Sequence, residues 1–118
     1  MKETKQLTKI LQRYDVKLRT KDTTVTHLLY GNVTVCTPLQ FAAYEAAVKA
    51  QHLSWMLADC PPEWRTQTEM HNKRIADKDG FSLPKADLTR FNSKQAAEDY
   101  HYCKSLIMGD DLYFALLD

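Results

Sequence analysis

The histidines and cysteines of this chain are the residues best suited to chemistry, and their spacing limits what that chemistry could be. A structural zinc site usually combines cysteines roughly two to four residues apart with histidines roughly three to five residues apart. The candidate ligands are His27, Cys36, His52, Cys60, His71, His101 and Cys103. None of them forms such a pair, and the two nearest, His101 and Cys103, would point in nearly opposite directions on a helix. We therefore predict no metal site.

The acidic segment before Gly80 resembles a calcium-binding loop over only part of its length. With Gly80 at the glycine position of such a loop, Asp77 and Asp79 occupy two ligand positions. Ile75 and Ala86 then fall at the first and last positions, where the loop requires carboxylates. The segment DKDG at 77–80 is therefore predicted to be a tight turn.

Nucleophilic catalysis needs a thiol or hydroxyl beside a base, and the sequence places no such pair together. Three glycines are too few for a phosphate-binding loop, and the local motifs of nucleotide-binding proteins and hydrolases are absent from the sequence. We predict no catalytic residue and no cofactor, and the sequence gives no positive evidence for an enzyme, although it leaves that question open. A site assembled from distant residues stays open, with a pocket near Tyr44, His52 and Trp55 as the candidate.

Basic residues recur on one face of a helix predicted over residues 3–13. They are Lys2, Lys5, Lys9 and Arg13. This face is either the solvent side of an amphipathic helix or a docking face for phosphate or an acidic protein surface. Together with Lys17 and Arg19, it is also the surface that a nucleic-acid-binding protein would use.

Aromatic residues are the second group of candidates for binding a partner. The group consists of Trp55, Trp64, His101 and Tyr102. Exposed tryptophan and tyrosine are enriched at the hot spots of protein interfaces, so these residues would mark an interaction surface if they are exposed. The alternative is that both tryptophans fill the core.

Composition bounds the class of protein. The chain has 118 residues, of which 44% are hydrophobic and 26% charged, which fits a single globular domain over residues 1–118. No run approaches the roughly 18 apolar residues of a membrane span, and the first residues lack the apolar stretch of a signal peptide. The three cysteines are widely spaced, so a disulfide framework is not expected. We predict a cytoplasmic protein without membrane contact.

The net charge of +1 is unevenly distributed along the chain. Residues 1–22 carry a charge of +4 and residues 98–118 a charge of −4. The two ends could pair within the chain, between subunits or with outside partners. Because a total charge near zero gives little general attraction to nucleic acid, a protein partner is favoured.

The segment between residues 15 and 37 has the pattern of β-structure. Val16 and Leu18 alternate with basic residues, and two β-rich runs are joined by Gly31-Asn32, as in a hairpin. We predict a small antiparallel sheet of two or three strands here, with a helix before it and a mostly helical half after it. The predicted fold class is therefore α+β.

A long central helix is predicted over residues 38–59. Thr37 and Gln40 suit a capping box, Pro38 suits the first helical position, and Cys60-Pro61-Pro62 ends the helix. Apolar residues line two opposite sides of it: Phe41, Tyr44, Val48, His52 and Trp55 on one, and Leu39, Ala43, Ala46, Ala50, Leu53 and Leu57 on the other. Such a helix should lie between two packed layers or two subunits, so we predict a homodimer that uses one of these sides.

Three further segments complete the prediction. A helix is expected from Pro62 to about Ala76, and another from Ser93 to a stop at Gly109. Between them, an irregular segment should be anchored by Phe81, Leu83, Leu88 and Phe91. The last helix should bury Ala96, Tyr100, Cys103 and Ile107.

Without a motif for chemistry, the sequence favours a small accessory protein, namely a regulatory or inhibitory protein-interaction module. One alternative is a nucleic-acid-binding protein that uses the basic N-terminal segment. The other is a small-ligand-binding protein or unusual enzyme with a pocket near the central helix.

Overall fold

The computed structural model describes residues 5–23 and 36–117, with side chains to residue 107, and this part of the chain is all-helical. Its helices are α1 (Lys5–Arg13), α2 (Pro38–Leu57), α3 (Pro62–Asp79) and α4 (Ser93–Leu117). The predicted α+β class is therefore wrong for the described residues, in which one antiparallel bridge joins Thr23 to Cys36 and no strand forms. The predicted hairpin at Gly31-Asn32 lies outside the described residues.

The residues after α1, in which Val16 and Leu18 alternate with basic residues, begin with a helix cap and do not form the predicted strand. Asp15 adopts a left-handed conformation with φ of 55°. The Asp15 amide donates to the Gln12 carbonyl and the Val16 amide to the Leu11 carbonyl. This pair of bonds is a Schellman motif, which packs the apolar residue after a helix against the last turn. Val16 is buried for this reason. Leu18 is 55% exposed, whereas the inner face of a sheet would bury both residues.

α3 also ends at a left-handed residue. Gly80 has φ of 75°, and its amide and that of the buried Phe81 both donate to the Ala76 carbonyl. Because the helix runs on to Asp79, it extends past its predicted end at Ala76. It therefore takes in most of the predicted turn at 77–80.

α2 confirms the predicted start and the predicted position between packed layers. The Thr37 hydroxyl accepts from the Gln40 amide at 3.2 Å, and the Gln40 side-chain oxygen accepts from the Thr37 amide at 3.1 Å, which completes the capping box. α4 packs along α2, and α3 and α1 also contact α2. These layers belong to the same chain, so the apolar sides of α2 no longer give a reason to expect a dimer.

α4 begins as predicted but does not end as predicted. The Asn92 side-chain oxygen accepts from the Gln95 amide at 2.8 Å, and Ala96, Tyr100 and Cys103 are buried. The predicted stop at Gly109 is wrong, because the helix continues to Leu117. A glycine inside a helix costs only about 1 kcal/mol relative to alanine, which is too little to end a helix by itself.

α3 runs back beside α2, and its end is fixed near the start of α2. The Tyr44 hydroxyl donates to the Asp79 carboxylate at 2.6 Å. The rings of Phe41, Tyr44 and Phe81 pack together with centroids 5.4 to 5.7 Å apart. This cluster positions the chain as it leaves α3.

The irregular segment before α4 is held at both of its ends. Phe81 packs against α2, and Phe91 stacks on Tyr14 with centroids 5.5 Å apart. Leu83 packs partly against the core, but Leu88 is 82% exposed, so its predicted role as an anchor is wrong. Among the described residues, no helix combines the length and hydropathy that crossing a bilayer requires.

Candidate interaction surface

The two tryptophans of the chain lie together where α2 ends and α3 begins. Their ring centroids are 6.1 Å apart with an angle of 47° between the planes. Trp64 is 58% exposed and Trp55 is half-buried, so neither belongs to the core. The prolines at 61 and 62 force a short turn between the helices, which sets the first turn of α3 beside the last turn of α2.

A groove of about 380 Å³ opens beside Trp55, between the end of α2 and the start of α4. Its walls are mainly apolar and come from Ser54, Trp55, Ala58, Cys60, Ser93, Lys94 and Ala97. Lys94 supplies a positive charge in the first turn of α4, where the helix dipole is also positive. We call Trp55, Trp64 and this groove the tryptophan surface.

A second cavity of about 260 Å³ lies between α2 and α3, and Trp55 lines this one too. The polar residues in its wall are Gln51, Gln67, Thr68 and His71. Burial lowers the pKa of His71, so its imidazole is neutral at neutral pH. The three residues of the predicted pocket, Tyr44, His52 and Trp55, do not line one cavity: Tyr44 lines another cavity of about 170 Å³, which also includes His71, and His52 lines neither of the two.

Polar groups are also buried on α2, α3 and α4. The Gln51 side-chain nitrogen donates to the Tyr100 hydroxyl at 3.3 Å. Asn72 is 0% exposed, and within the described part of the chain neither atom of its side-chain amide has a hydrogen-bond partner. Burial lowers the pKa of His52 as well. Among the described residues, no group of three or more histidine, cysteine or acidic side chains could hold a metal ion.

The predicted basic face of α1 is divided. Lys5 and Lys9 are exposed, and Lys2 lies outside the described residues. The Arg13 side chain is only 30% exposed and pairs with Asp99 of α4 at 2.6 Å. Arg13 therefore contributes to the fold, which the sequence alone did not indicate.

Asp99 is the centre of a buried polar network between α1 and α4. It is 2% exposed and accepts from Arg13 at 2.6 Å, from the Tyr14 hydroxyl at 2.8 Å and from the Gln95 side chain at 3.0 Å. Burial, followed by the bond to Asp99, raises the pKa of Tyr14 far above its usual value. Sequence reasoning missed this network, since only Gln95, one turn before Asp99, is a local signal for it.

Three other cations cap helix ends. The Lys49 ammonium donates to the Tyr14 carbonyl at 3.2 Å, and the Arg90 guanidinium donates to the Arg13 carbonyl at 2.9 Å. Arg19 reaches the last carbonyl of α3 at 3.5 Å. Carbonyls at a helix C-terminus lack internal donors and carry partial negative charge, so cations stabilise them. The bond to the Tyr14 carbonyl and an ion pair with Glu45 at 2.9 Å explain how Lys49 can be buried.

His101 and Tyr102 are half-buried on α4. They lie seven and eight positions after Lys94, which is about 10–12 Å along the helix. Of the predicted aromatic group, the structure thus brings together Trp55 and Trp64 and places His101 and Tyr102 further away.

Comparison of the chain with protein-family models, with curated proteins and with solved structures finds no match in any of the three.

Proposed function

We propose that this protein is a regulatory or inhibitory protein-interaction module that binds a partner protein through the tryptophan surface. The observation that carries the proposal is Trp64, which is 58% exposed and packs against the half-buried Trp55. Exposed apolar surface is unfavourable by about 25 cal/mol per Å², and tryptophan is among the residues most enriched at hot spots. Covering this surface on binding would release that free energy.

The groove beside Trp55 supports a specific kind of contact. Its walls are mainly apolar, which suits an apolar side chain inserted by the partner. Lys94 and the positive end of α4 favour an acidic residue next to that side chain. The proposed partner is therefore a protein with an apolar anchor flanked by negative charge.

A homodimer remains a proposal, but with a different interface from the predicted one. Since α2 is covered within one chain, we propose that a second copy would use the tryptophan surface. Cys36, Cys60 and Cys103 are free thiols, and on this ground we propose a cytoplasmic location.

Capture of the partner from cells of the native host tests the proposal. Wild-type protein is compared with Trp64→Ser and with the control Leu88→Ser, which removes another exposed apolar residue outside the tryptophan surface. Loss of a hot spot costs about 2 kcal/mol or more, so the Trp64 variant should retain a specific partner about thirtyfold less well. The control should behave like the wild type, and circular dichroism should show all three proteins folded.

Equal capture by the wild type and the Trp64 variant would contradict the proposal. Light scattering distinguishes the case in which the partner is a second copy, because a dimer should then dissociate on the same substitution. Both tryptophans lie at the surface in question, so their emission should shift to shorter wavelength when the purified partner is added.

A further inference from the structure

Cations from two distant parts of the sequence surround two adjacent cavities at the ends of α1 and α3. The larger cavity, about 540 Å³, has Lys17 and Arg19 in its wall. A neighbouring cavity of about 230 Å³ has Lys85 and Arg90 in its wall. The two cavities share Tyr14, Asp15 and Pro84. We call them together the basic groove.

The two arginines of the basic groove are held in place by the fold. The guanidinium carbon of Arg19 lies 4.3 Å from the centre of the Phe41 ring, and that of Arg90 lies 4.9 Å from the centre of the Phe91 ring. Each also donates one bond to a helix carbonyl. Arginine has five N–H donors, so most of them stay available while the side chain is already ordered. Binding an anion here would cost little side-chain entropy.

The two lysines are not used by the fold in this way. Lys17 and Lys85 are exposed, and neither forms an ion pair with another residue in the described part of the chain. Their ammonium groups therefore add positive charge to the groove without being engaged in an ion pair.

Acidic residues interrupt the positive charge of the groove. Glu45 pairs with the buried Lys49 at 2.9 Å and is thereby compensated. Asp87 is held ionised by hydrogen bonds from the Thr89 hydroxyl and amide, which lower the pKa of its carboxyl group. Asp15 is exposed at the boundary between the cavities. The groove is positive overall, but the cations do not form an unbroken row.

This pattern favours an acidic protein segment over nucleic acid. A polyphosphate chain carries its charges on the backbone and would meet Asp15 and Asp87 directly, whereas the flexible side chains of an acidic peptide can turn toward the cations and away from these carboxylates. The aromatic rings next to the groove, Tyr14, Phe41 and Phe91, are all buried, so none offers a platform on which bases could stack.

We infer that the basic groove binds an acidic segment of the partner protein, with carboxylates placed at Lys17, Arg19, Lys85 and Arg90. The inference rests on the proposed function in that it takes the partner to be a protein. It is independent of the tryptophan surface, since it concerns different residues and a different chemistry.

Binding of a fluorescein-labelled hexaglutamate peptide, measured by fluorescence anisotropy at low salt, tests the inference. The variant Lys17→Gln/Lys85→Gln removes two cations that form no ion pair in the described part of the chain. The control Lys5→Gln/Lys9→Gln makes the same change of net charge at exposed positions of α1. We expect about three- to tenfold weaker binding for the first variant and less than about twofold for the control. A hexaglutamine peptide should not bind.

Three results would overturn the inference. Equal losses in the two double variants would mean that the peptide responds to net charge only. Tighter binding of a thymidine oligonucleotide of the same length, with the same dependence on Lys17 and Lys85, would make the groove a nucleic-acid site. Failure of the peptide to bind would remove the site but leave the proposal for the tryptophan surface untouched, because the two surfaces share no residue.

Discussion

Replacement of Arg13 by methionine tests whether this residue holds the fold together or is free to contact a partner. Its guanidinium lies 2.6 Å from the Asp99 carboxylate, which is 2% exposed. Methionine keeps most of the aliphatic length and removes only the charge and the donors. The substitution leaves Asp99 buried with two remaining donors, Tyr14 and Gln95.

The expected magnitude follows from that environment. Removing one partner of a buried ion pair costs about 3–5 kcal/mol when the other charge is left uncompensated. Here Arg13 is 30% exposed and Asp99 keeps two hydrogen bonds. Both features reduce the cost to about 2–3 kcal/mol, in the upper part of the range for a hydrogen bond to a charged group. For a chain of this size, the melting temperature should fall by about 8–12 °C.

Urea denaturation and thermal melting by circular dichroism measure the effect. Lys9→Met is the matched control, because it makes the same change at an exposed position of the same helix, and it should alter stability by less than about 0.5 kcal/mol. Asp99→Asn in the Arg13→Met background should recover part of the loss, since it removes the unpaired charge. If Arg13→Met is no less stable than Lys9→Met, the ion pair does not hold α1 to α4, and Arg13 is available for docking.

Three further outcomes are expected. Asn72→Leu should stabilise the protein by about 1–2 kcal/mol in urea denaturation, because it removes a buried amide without partners; a loss of stability would contradict this. The pKa of Tyr14 is raised in the folded state, so its contribution to stability is fully present below the unfolded pKa of about 10 and is lost at higher pH. Tyr14→Phe should therefore make the fall in melting temperature at alkaline pH shallower. An unchanged dependence of melting temperature on pH would contradict the role assigned to Tyr14. Cys103 is buried with a pKa raised to about 12, so Ellman's reagent should modify the half-buried Cys60 first, and equal rates in the native protein would refute this.

The predictions that held depend on residues close together in the sequence. Thr37, Gln40 and the prolines at 61 and 62 set the bounds of α2 through contacts within about one helical turn. Asn92 starts α4 in the same way. The two apolar sides of α2 correctly indicated a helix covered on both sides, because the 3.6-residue period of a helix fixes which side chains share a face.

Other predictions failed because local patterns have more than one structural explanation. An apolar residue two positions before another suggests a strand, but Val16 is buried by a helix cap and Leu18 is exposed. Likewise, Gly109 suggested a helix end, although α4 passes through it. Each pattern is present in the sequence, but the tertiary contacts around it determined which structure formed.

By itself, the sequence determined which segments become helices at α2, α3 and the start of α4, and which of their faces are apolar. The tertiary structure alone decided that one chain covers both sides of α2, that Arg13 meets Asp99, 86 positions away, and that Trp64 stays exposed. The physical reason is that capping and periodicity act over a few residues. Burial and ion pairing, by contrast, depend on which segments the folded chain brings together.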